Sequence, residues 1–290
     1  MMDRGRVAKF VTCLMLVMGV GSGAAAWYVG GQLVNPARRS VGELPSDLPG
    51  TSVRLVTGSG LKIKCWHLTR RQAVATVILL HPIRGDRRSM LKHARMFRAA
   101  GYATLLIDLP SHGESDGDAI TAGWRESEAV TVAVEFVRRE SPDHMVGIVG
   151  RSLGGAAALF ASPLGVDALV LESVYPTVNE AVHNRVAMRL GPLHHILAPA
   201  LTWQLYPRLG VSASSICPID YISRVDCPVL ILSGDQDRHT TLDETRRLYD
   251  AAVPPRRLCV FEGAKHIDLL SYDAELYETQ VLLFLEQHLN

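Results

Sequence analysis

A serine flanked by two glycines is the strongest chemical signal in the sequence. Gly150-Arg-Ser152-Leu-Gly154 directly follows the apolar run HMVGIVG and directly opens the helical pattern LGGAAALFA. So tight a turn between a strand and a helix pushes the serine hydroxyl above the sheet, and the flanking glycines avoid clashes there. The first amides of the helix point towards the same place. The pattern predicts that Ser152 is a nucleophile on the turn between a strand and a helix.

A serine hydroxyl is a weak nucleophile at neutral pH, so it needs a base, and the base needs an acid to orient it. In this arrangement the acid and then the base follow the serine along the chain. Asp237 comes just after the apolar run PVLILSG, and His266 just after RLCVFEG. Open α/β sheets place functional loops at such strand ends. We expect a triad of Ser152, Asp237 and His266, with Asp235 as the rival acid that otherwise braces its loop.

The elements that must position these residues alternate along the chain. Short runs of branched apolar residues, typical of strands buried on both faces, lie at 76–81, 102–109, 144–150, 166–173, 228–234 and 257–263. Helical patterns lie between most of them. This order predicts a mostly parallel, doubly wound α/β sheet. Two earlier runs on either side of the turn Gly58-Ser-Gly60 predict an antiparallel hairpin near its N-terminal end.

One gap between these strands is too long for a simple crossover. It runs over about residues 174–227 and contains helical patterns and several prolines. We expect a small helical cap there. Its apolar stretch LHHILAPALTWQLY either lines an acyl pocket or only packs the cap onto the sheet.

The N-terminal residues have the composition of a membrane-targeting segment. Basic residues precede Phe10, and from Phe10 to Ala37 there is no Asp, Glu, Lys, Arg or His. About 20 helical residues are enough to cross a hydrocarbon core. The length of the run and its aromatic residues Trp27 and Tyr28 favour an uncleaved anchor over a signal peptide cut after Ala26. A buried core helix is the third alternative.

These boundaries divide the chain into an anchor at 1–37, a linker at 38–51 and a catalytic domain at 52–290. The linker RRSVGELPSDLPGT contains two prolines and two glycines. The positive-inside rule places the domain on the extracytoplasmic side of the membrane, or outside the cell after cleavage of a signal peptide. Nothing in the sequence specifies an oligomeric state.

Composition excludes several classes of protein. With 290 residues, 48% hydrophobic and 20% charged, the chain is neither disordered nor a disulfide mini-scaffold. A formal net charge of +1 gives no field that would gather nucleic acid. The cysteines lack any CxxC spacing, so no zinc site is expected, and one disulfide is left open among Cys65, Cys217, Cys227 and Cys259.

Together these motifs resemble the α/β-hydrolase superfamily over about residues 50–290, including its small membrane-anchored serine hydrolases with a Gly-Arg-Ser-Leu-Gly elbow. His81-Pro-Ile-Arg-Gly85 resembles the family's His-Gly-x-x-Gly oxyanion loop. The stretch from Asp108 to Ser115 resembles its Asp-x-x-Gly-His-Gly-x-Ser segment. The resemblance implies that the backbone amides of Leu153 and Ile83 form the oxyanion hole. Proline replaces a glycine in the loop, so Arg84 is the alternative to Ile83.

The reaction implied is acyl transfer to water, with a small acyl compound as the partner and with no metal or organic cofactor. A carboxylic ester, with a lipid-like ester as one option, is the first expectation, and an amide or a thioester stays open. A binding protein that uses the same fold without catalysis is the alternative from a different class. Arg84, Arg87 and Arg88 either attract an anionic group to the pocket mouth or form a solvated positive loop.

Overall fold

An eight-stranded sheet forms the centre of the computed structural model, which describes residues 21 and 23–289. In space its strands run in the order β10-β9-β8-β7-β4-β5-β3-β2. The strands are β2 (Thr51–Val56), β3 (Lys62–Leu68), β4 (Ala75–Leu80), β5 (Ala103–Ile107), β7 (Met145–Arg151), β8 (Ala168–Glu172), β9 (Val229–Gly234) and β10 (Arg256–Phe261). Two short strands, β1 (Ala37–Arg38) and β6 (His112–Gly113), pair separately and in parallel.

Most of this sheet is parallel, as the sequence predicts. The pairs β2–β3 and β3–β5 are antiparallel, and the remaining pairs are parallel. Every residue of β4, β5, β8 and β9 is buried. Strands covered on both faces have no polar face to show, which is why these runs lack alternation in the sequence.

Helices cover both faces of the sheet. They are α1 (residues 23–34), α2 (Leu91–Ala99), α3 (Ser127–Glu140), α4 (Leu153–Ala161), α5 (Val178–Leu190), α6 (His194–Trp203), α7 (Leu205–Leu209), α8 (Leu242–Ala251), α9 (Leu269–Tyr272) and α10 (Ala274–His288). One apolar core joins α3, α4 and α8 to side chains such as Ile78 of the sheet. The other joins α2 and α10 to the opposite face, with Val77 and Leu79.

The segment between β8 and β9, where the sequence predicts a cap, contains α5, α6 and α7. Three short 3-10 turns complete it, at Ala213–Ser215, Pro218–Asp220 and Ile222–Arg224. Helices α5 and α6 pack against each other and are joined by a further turn at Gly191–Leu193.

Most of the predicted membrane anchor, residues 1–20 and 22, lies outside the described residues. Within residues 21 and 23–289, no helix is long and apolar enough to cross a membrane. The described helix α1 packs against the segment that contains α5, α6 and α7. Gln204 donates to the carbonyl oxygen of Ala26 at 3.1 Å, and the Arg208 guanidinium lies 3.9 Å from the ring centroid of Trp27.

The four cysteines of the described region are free thiols, so none of the disulfides left open by the sequence is formed. Burial raises the pKa of Cys65 well above its usual range and that of Cys227 to about 12, which keeps both protonated. Cys13 lies outside the described residues.

Two histidines hold together the loops that follow β4 and β5. The Nε2 of His81 accepts the amide N–H of Leu109 at 3.0 Å, and its Nδ1 donates to the carbonyl oxygen of Pro82 at 2.8 Å. An amide only donates and a carbonyl only accepts, so this pairing requires a neutral ring with its proton on Nδ1. The ring of His112 lies beside it, with the centroids 5.0 Å apart.

The arginines of the loop after β4 have structural partners. The buried Arg87 guanidinium pairs with Asp108 and Glu114. Arg88 pairs with Asp86 at 2.8 Å, and Arg84 donates to carbonyl groups at the end of α1. These contacts favour a structural role for the cluster over recognition of an anionic group.

Helix α4 approaches the sheet too closely for side chains at two positions. A Cβ at Gly154 would lie 2.5 Å from the carbonyl oxygen of Leu80, and one at Gly150 would lie 2.6 Å from the Cα of Gly155. Both distances are far below van der Waals contact with backbone atoms that have no freedom to move aside. The two glycines therefore allow the strand-to-helix turn at Ser152.

The replacement Gly154→Ala tests this close approach. We expect it to lower the free energy of unfolding by about 1–3 kcal/mol, because the added methyl group displaces β4 or α4. Urea unfolding of the full chain measures the change. Gly58→Ala is the matched control, since a Cβ there would meet no atom within 4 Å. Equal stability of the two variants would contradict the packing argument.

The buried histidines make stability depend on pH. Burial lowers the pKa of His81 to about 3 and that of His112 to about 4. Both stay neutral in the folded chain, whereas in the unfolded chain they take up protons below about pH 6.5. Stability should therefore fall as the pH drops from 6.5 towards 4, by about 1.4 kcal/mol per pH unit for each histidine. The free energy of unfolding measured at several pH values tests this. His112→Asn should reduce its change with pH by the contribution of one histidine, about 1.4 kcal/mol per pH unit. An unchanged slope in that variant would refute the assignment.

Candidate active site

Ser152 occupies a strained position between β7 and α4. Its backbone has φ of +48° and ψ of −108°, a region that residues with side chains rarely adopt. The amide of Ser152 donates to the carbonyl oxygen of Glu172 at 2.8 Å, which holds the turn against β8. Within the described chain its hydroxyl has no hydrogen-bond partner and does not cap the helix. In the described chain no hydrogen bond joins Ser152 to His266.

A buried ion pair lies next to this turn and links it to the loop of His266. The Oε1 of Glu172 accepts a hydrogen bond from Arg151 at 2.8 Å and another from the amide of Leu269 at 3.2 Å. Arg151 also lies 3.5 Å from Asp268. Burial would raise the pKa of Glu172, but Arg151 and then His93 outweigh it and hold the pKa at about 2. The carboxylate thus joins the second residue of the serine motif to the loop after β10.

Asp237 and His266 form the hydrogen bond that the sequence predicts for an acid and a base. The distance from His266 Nδ1 to Asp237 Oδ2 is 2.7 Å. The other carboxylate oxygen, Oδ1, accepts the amides of His239 at 2.8 Å and Thr240 at 3.0 Å. Burial raises the pKa of Asp237, but the bond to His266 and these two amides lower it by more than that. The pKa therefore lies below its usual value. An ionised Asp237 keeps the His266 proton on Nδ1 and leaves Nε2 to act as a base.

The rival acid has a different partner. The Oδ1 of Asp235 accepts the amide of Gly263 at 2.7 Å, in the turn that follows β10. The structure therefore gives Asp237 the contact with His266, and Asp235 the bracing contact between the two loops.

His239 lies in the acid loop and stacks on the base. Its ring is nearly parallel to that of His266, at 19°, with the centroids 4.8 Å apart. Burial lowers the pKa of His239 to about 4, so it is neutral at pH 7 and adds no repulsion when His266 takes up a proton. No sequence motif singles out this histidine.

The residues predicted to form the oxyanion hole, Leu153 and Ile83, line the same pocket as Ser152. Leu153 is the first residue of α4, where an amide has no partner inside the helix. Ile83 lies in a turn closed by the amide of Gly85, which donates to Pro82 at 2.9 Å. Ser152, Leu153 and Ile83 all line one pocket. In the described chain the amides of Ile83 and Arg84 both lack acceptors, so the choice between them stays open.

The pocket has a volume of about 560 Å³ and mostly apolar walls. Helix α5 contributes Val178, Val182 and Val186, and Leu201 and Leu205 come from the stretch for which the sequence left an acyl pocket open. The polar lining residues include Ser152, Thr121, Tyr175 and His239.

The sequence analysis missed one wall of this pocket. Val29, Leu33 and Val34 of α1 line it, although they fall in the segment predicted to be an anchor. Their i, i+4 spacing was the available signal, because Val29 and Leu33 share a helix face. In a long uncharged run the same spacing occurs at many positions, so it does not distinguish a pocket wall from a membrane anchor.

Comparison with known proteins supports the fold. A model of the alpha/beta hydrolase family matches residues 77–279. The esterase Pf2001 of Pyrococcus furiosus superimposes with a TM-score of 0.75 at 19% identity, covering 89% of this chain and 99% of that one. At this identity the likeness concerns the fold alone.

Two curated relatives are similar in sequence. The uncharacterised protein YqkD of Bacillus subtilis is 23% identical over 241 residues, which cover 81% of this chain and 79% of YqkD. The lysophosphatidylserine lipase ABHD12 of Xenopus tropicalis is 26% identical over 182 residues, or 60% of this chain and 45% of that protein. Because the family match spans most of the sheet and its helices, the chain belongs to the alpha/beta hydrolase family.

Proposed function

We propose that this hydrolase cleaves a carboxylic ester with an apolar acyl group, through an acyl-enzyme on Ser152. The observation that carries the proposal is the position of Ser152, on a strained turn that lines an apolar pocket at the carboxyl ends of the strands. The hydrogen-bonded pair of Asp237 and His266 supplies the acid and base that a serine nucleophile needs.

In the first half of the reaction the Oγ of Ser152 attacks the ester carbonyl carbon while Nε2 of His266 takes its proton. The oxyanion that forms is stabilised by the amide of Leu153 and that of Ile83 or Arg84. His266 then gives its proton to the leaving alcohol, and the acyl group stays on Ser152.

In the second half a water molecule replaces the alcohol. His266 takes a proton from the water, which attacks the acyl carbonyl, and the acid product leaves as Ser152 regains its proton. Asp237 remains ionised throughout and stabilises the imidazolium form of His266.

The choice of an ester rests on the pocket and on the relatives. Its walls suit an aliphatic chain and offer few groups that would bind a peptide backbone. An esterase among similar structures and a lipase among the relatives support the same class. Amide and thioester hydrolysis use the same residues and are the alternatives. A binding protein without catalysis has no need of the Asp237–His266 bond.

Ester hydrolysis is tested with a chain-length series of p-nitrophenyl esters and the variant Ser152→Ala. We expect turnover to peak at a definite chain length and to fall by about 10³-fold or more in the variant. Ser52→Ala, at an exposed position of β2, is the matched control and should keep full activity.

A fluorophosphonate probe separates the alternatives, since it labels an activated serine whatever the natural substrate. Labelling that is lost in Ser152→Ala, together with no turnover of any ester, would point to amide or thioester substrates. No labelling of the wild-type chain would favour a binding protein. More than a few per cent of activity in Ser152→Ala would rule out Ser152 as the nucleophile.

We also propose that the N-terminal residues anchor the chain in a membrane, with the hydrolase domain on the extracytoplasmic side. The basic residues before Phe10 and the uncharged run after it support this arrangement. The exposed Trp27 and Tyr28 of α1 suit a membrane interface.

Extraction of membranes with alkaline carbonate tests the anchor, and added protease tests the side of the membrane. We expect the chain to stay in the membrane fraction after carbonate extraction. We expect added protease to digest the domain in cells whose envelope outside the plasma membrane has been permeabilised. Release by carbonate would contradict the anchor, and protection from protease would contradict the orientation.

A further inference from the structure

Arg185 of α5 is an arginine without a carboxylate partner in the pocket that contains Ser152. It is half-buried, and its recorded hydrogen bond runs from Nη1 to the carbonyl oxygen of Ala181, one turn back on its own helix, at 2.8 Å. Within residues 21 and 23–289 no carboxylate oxygen lies within salt-bridge distance of it. An unpaired charge removed from water is costly, and proteins normally avoid it.

Other buried arginines of this chain show the usual solution. Arg87 pairs with Asp108 and Glu114, and Arg151 pairs with Glu172 and Asp268. Arg185 departs from this pattern, and it lines the pocket that contains Ser152.

A second guanidinium lies one helical turn away. Arg189 lines the same pocket, is exposed, and takes part in no ion pair within the described chain. Residues four apart share a helix face, so both side chains lie along one wall. Arg208 also lines the pocket, but it is occupied by the carbonyl of Trp27, the side chain of Gln204 and the ring of Trp27.

The carboxylates whose charges act on Arg185 are hydrogen-bonded to other residues. Burial lowers the pKa of Arg185, while Tyr175, Asp237 and Glu244 raise it. Asp237 is bound to His266, and Glu244 accepts Asn184 at 2.7 Å and the amide of Thr241 at 2.9 Å. Among the described residues that line the pocket there is no aspartate or glutamate. The wall of α5 is therefore cationic beside an apolar cavity.

We propose that Arg185, assisted by Arg189, binds an anionic group of the substrate, a carboxylate or a phosphate, so that the enzyme prefers anionic amphiphilic esters. The apolar walls take the acyl chain, and the planar guanidinium of Arg185 pairs with two oxygens of the anion. This inference rests on the proposed ester hydrolysis and names its substrate class. Arg185 is a specificity-determining residue and takes no part in the proton transfers.

The test compares three esters with one acyl chain and different charges: 1-octanoylglycerol, its 3-phosphate, and 3-octanoylglycerate. Release of octanoate gives kcat and KM for each with the full-length chain. We expect at least one of the two anionic esters to exceed the neutral one about 10-fold or more in kcat/KM. The phosphate and the glycerate distinguish the two kinds of anion.

Arg185→Gln should remove this preference. We expect kcat/KM for the favoured anionic ester to fall about 10- to 100-fold, mainly through KM, while that for 1-octanoylglycerol changes less than about 3-fold. Arg185→Lys should keep part of the preference for the anionic ester that Arg185→Gln loses. Arg189→Gln should reduce this preference less than Arg185→Gln does. Arg246→Gln, on an exposed face of α8 outside the pocket lining, is the matched control and should behave as wild type.

Two results would overturn the proposal: no preference for either anionic ester in the wild-type chain, or equal losses on neutral and anionic esters in Arg185→Gln. The second would mean that Arg185 only supports the fold.

If the wild-type chain cleaves no ester, ester hydrolysis fails, and the anion site is then judged by binding alone. Octyl phosphate and nonanoate should raise the melting temperature of the wild-type chain and not that of Arg185→Gln. Equal shifts, or no shift in either, would refute the site.

Discussion

The close contact between α4 and β4 is the constraint on which the rest of the site depends. It brings the first amides of the helix, the end of β7 and the loop after β4 to one point above the sheet. Ser152 has a positive φ because the chain must pass there from β7 into α4, and Gly150 and Gly154, two residues away on each side, leave room for the close contact. The strain persists because the helix and the strands are fully buried, so the turn has no freedom to relax.

Buried polar contacts then fix the loops relative to that point. Glu172 joins the serine turn to the loop of His266, and His81 joins the loops after β4 and β5. The contacts of Glu172 Oε1 need an ionised carboxylate, and those of His81 need a neutral ring, so each link depends on one protonation state. The residues of the candidate site are held by this frame, while the pocket is completed by helices outside the sheet.

The sequence was sufficient to predict what local patterns encode. The strands and the turn at the Gly-x-Ser-x-Gly motif depend on residues that are neighbours in the chain. The order of Ser152, Asp237 and His266 can be read directly along the sequence. The sequence favoured Asp237 and kept Asp235 as the rival acid, because two acidic residues so close in one loop give nearly the same pattern. Only the fold shows which carboxylate contacts His266. Arg185 had no signal at all, since an arginine in an amphipathic helix is ordinary until its partners are known.

Helix α1 shows a different limit of prediction from sequence. Its apolar face was interpreted as contact with lipid, but hydropathy measures only avoidance of water and does not distinguish lipid from protein. Val29 and Leu33 line the pocket, and Arg208 and Gln204 contact the backbone of the helix. The pocket and α1 therefore share a wall. Cleavage of the chain after α1 would open the cavity on that side, so the shape of the pocket depends on a helix that lies outside the sheet and its connections.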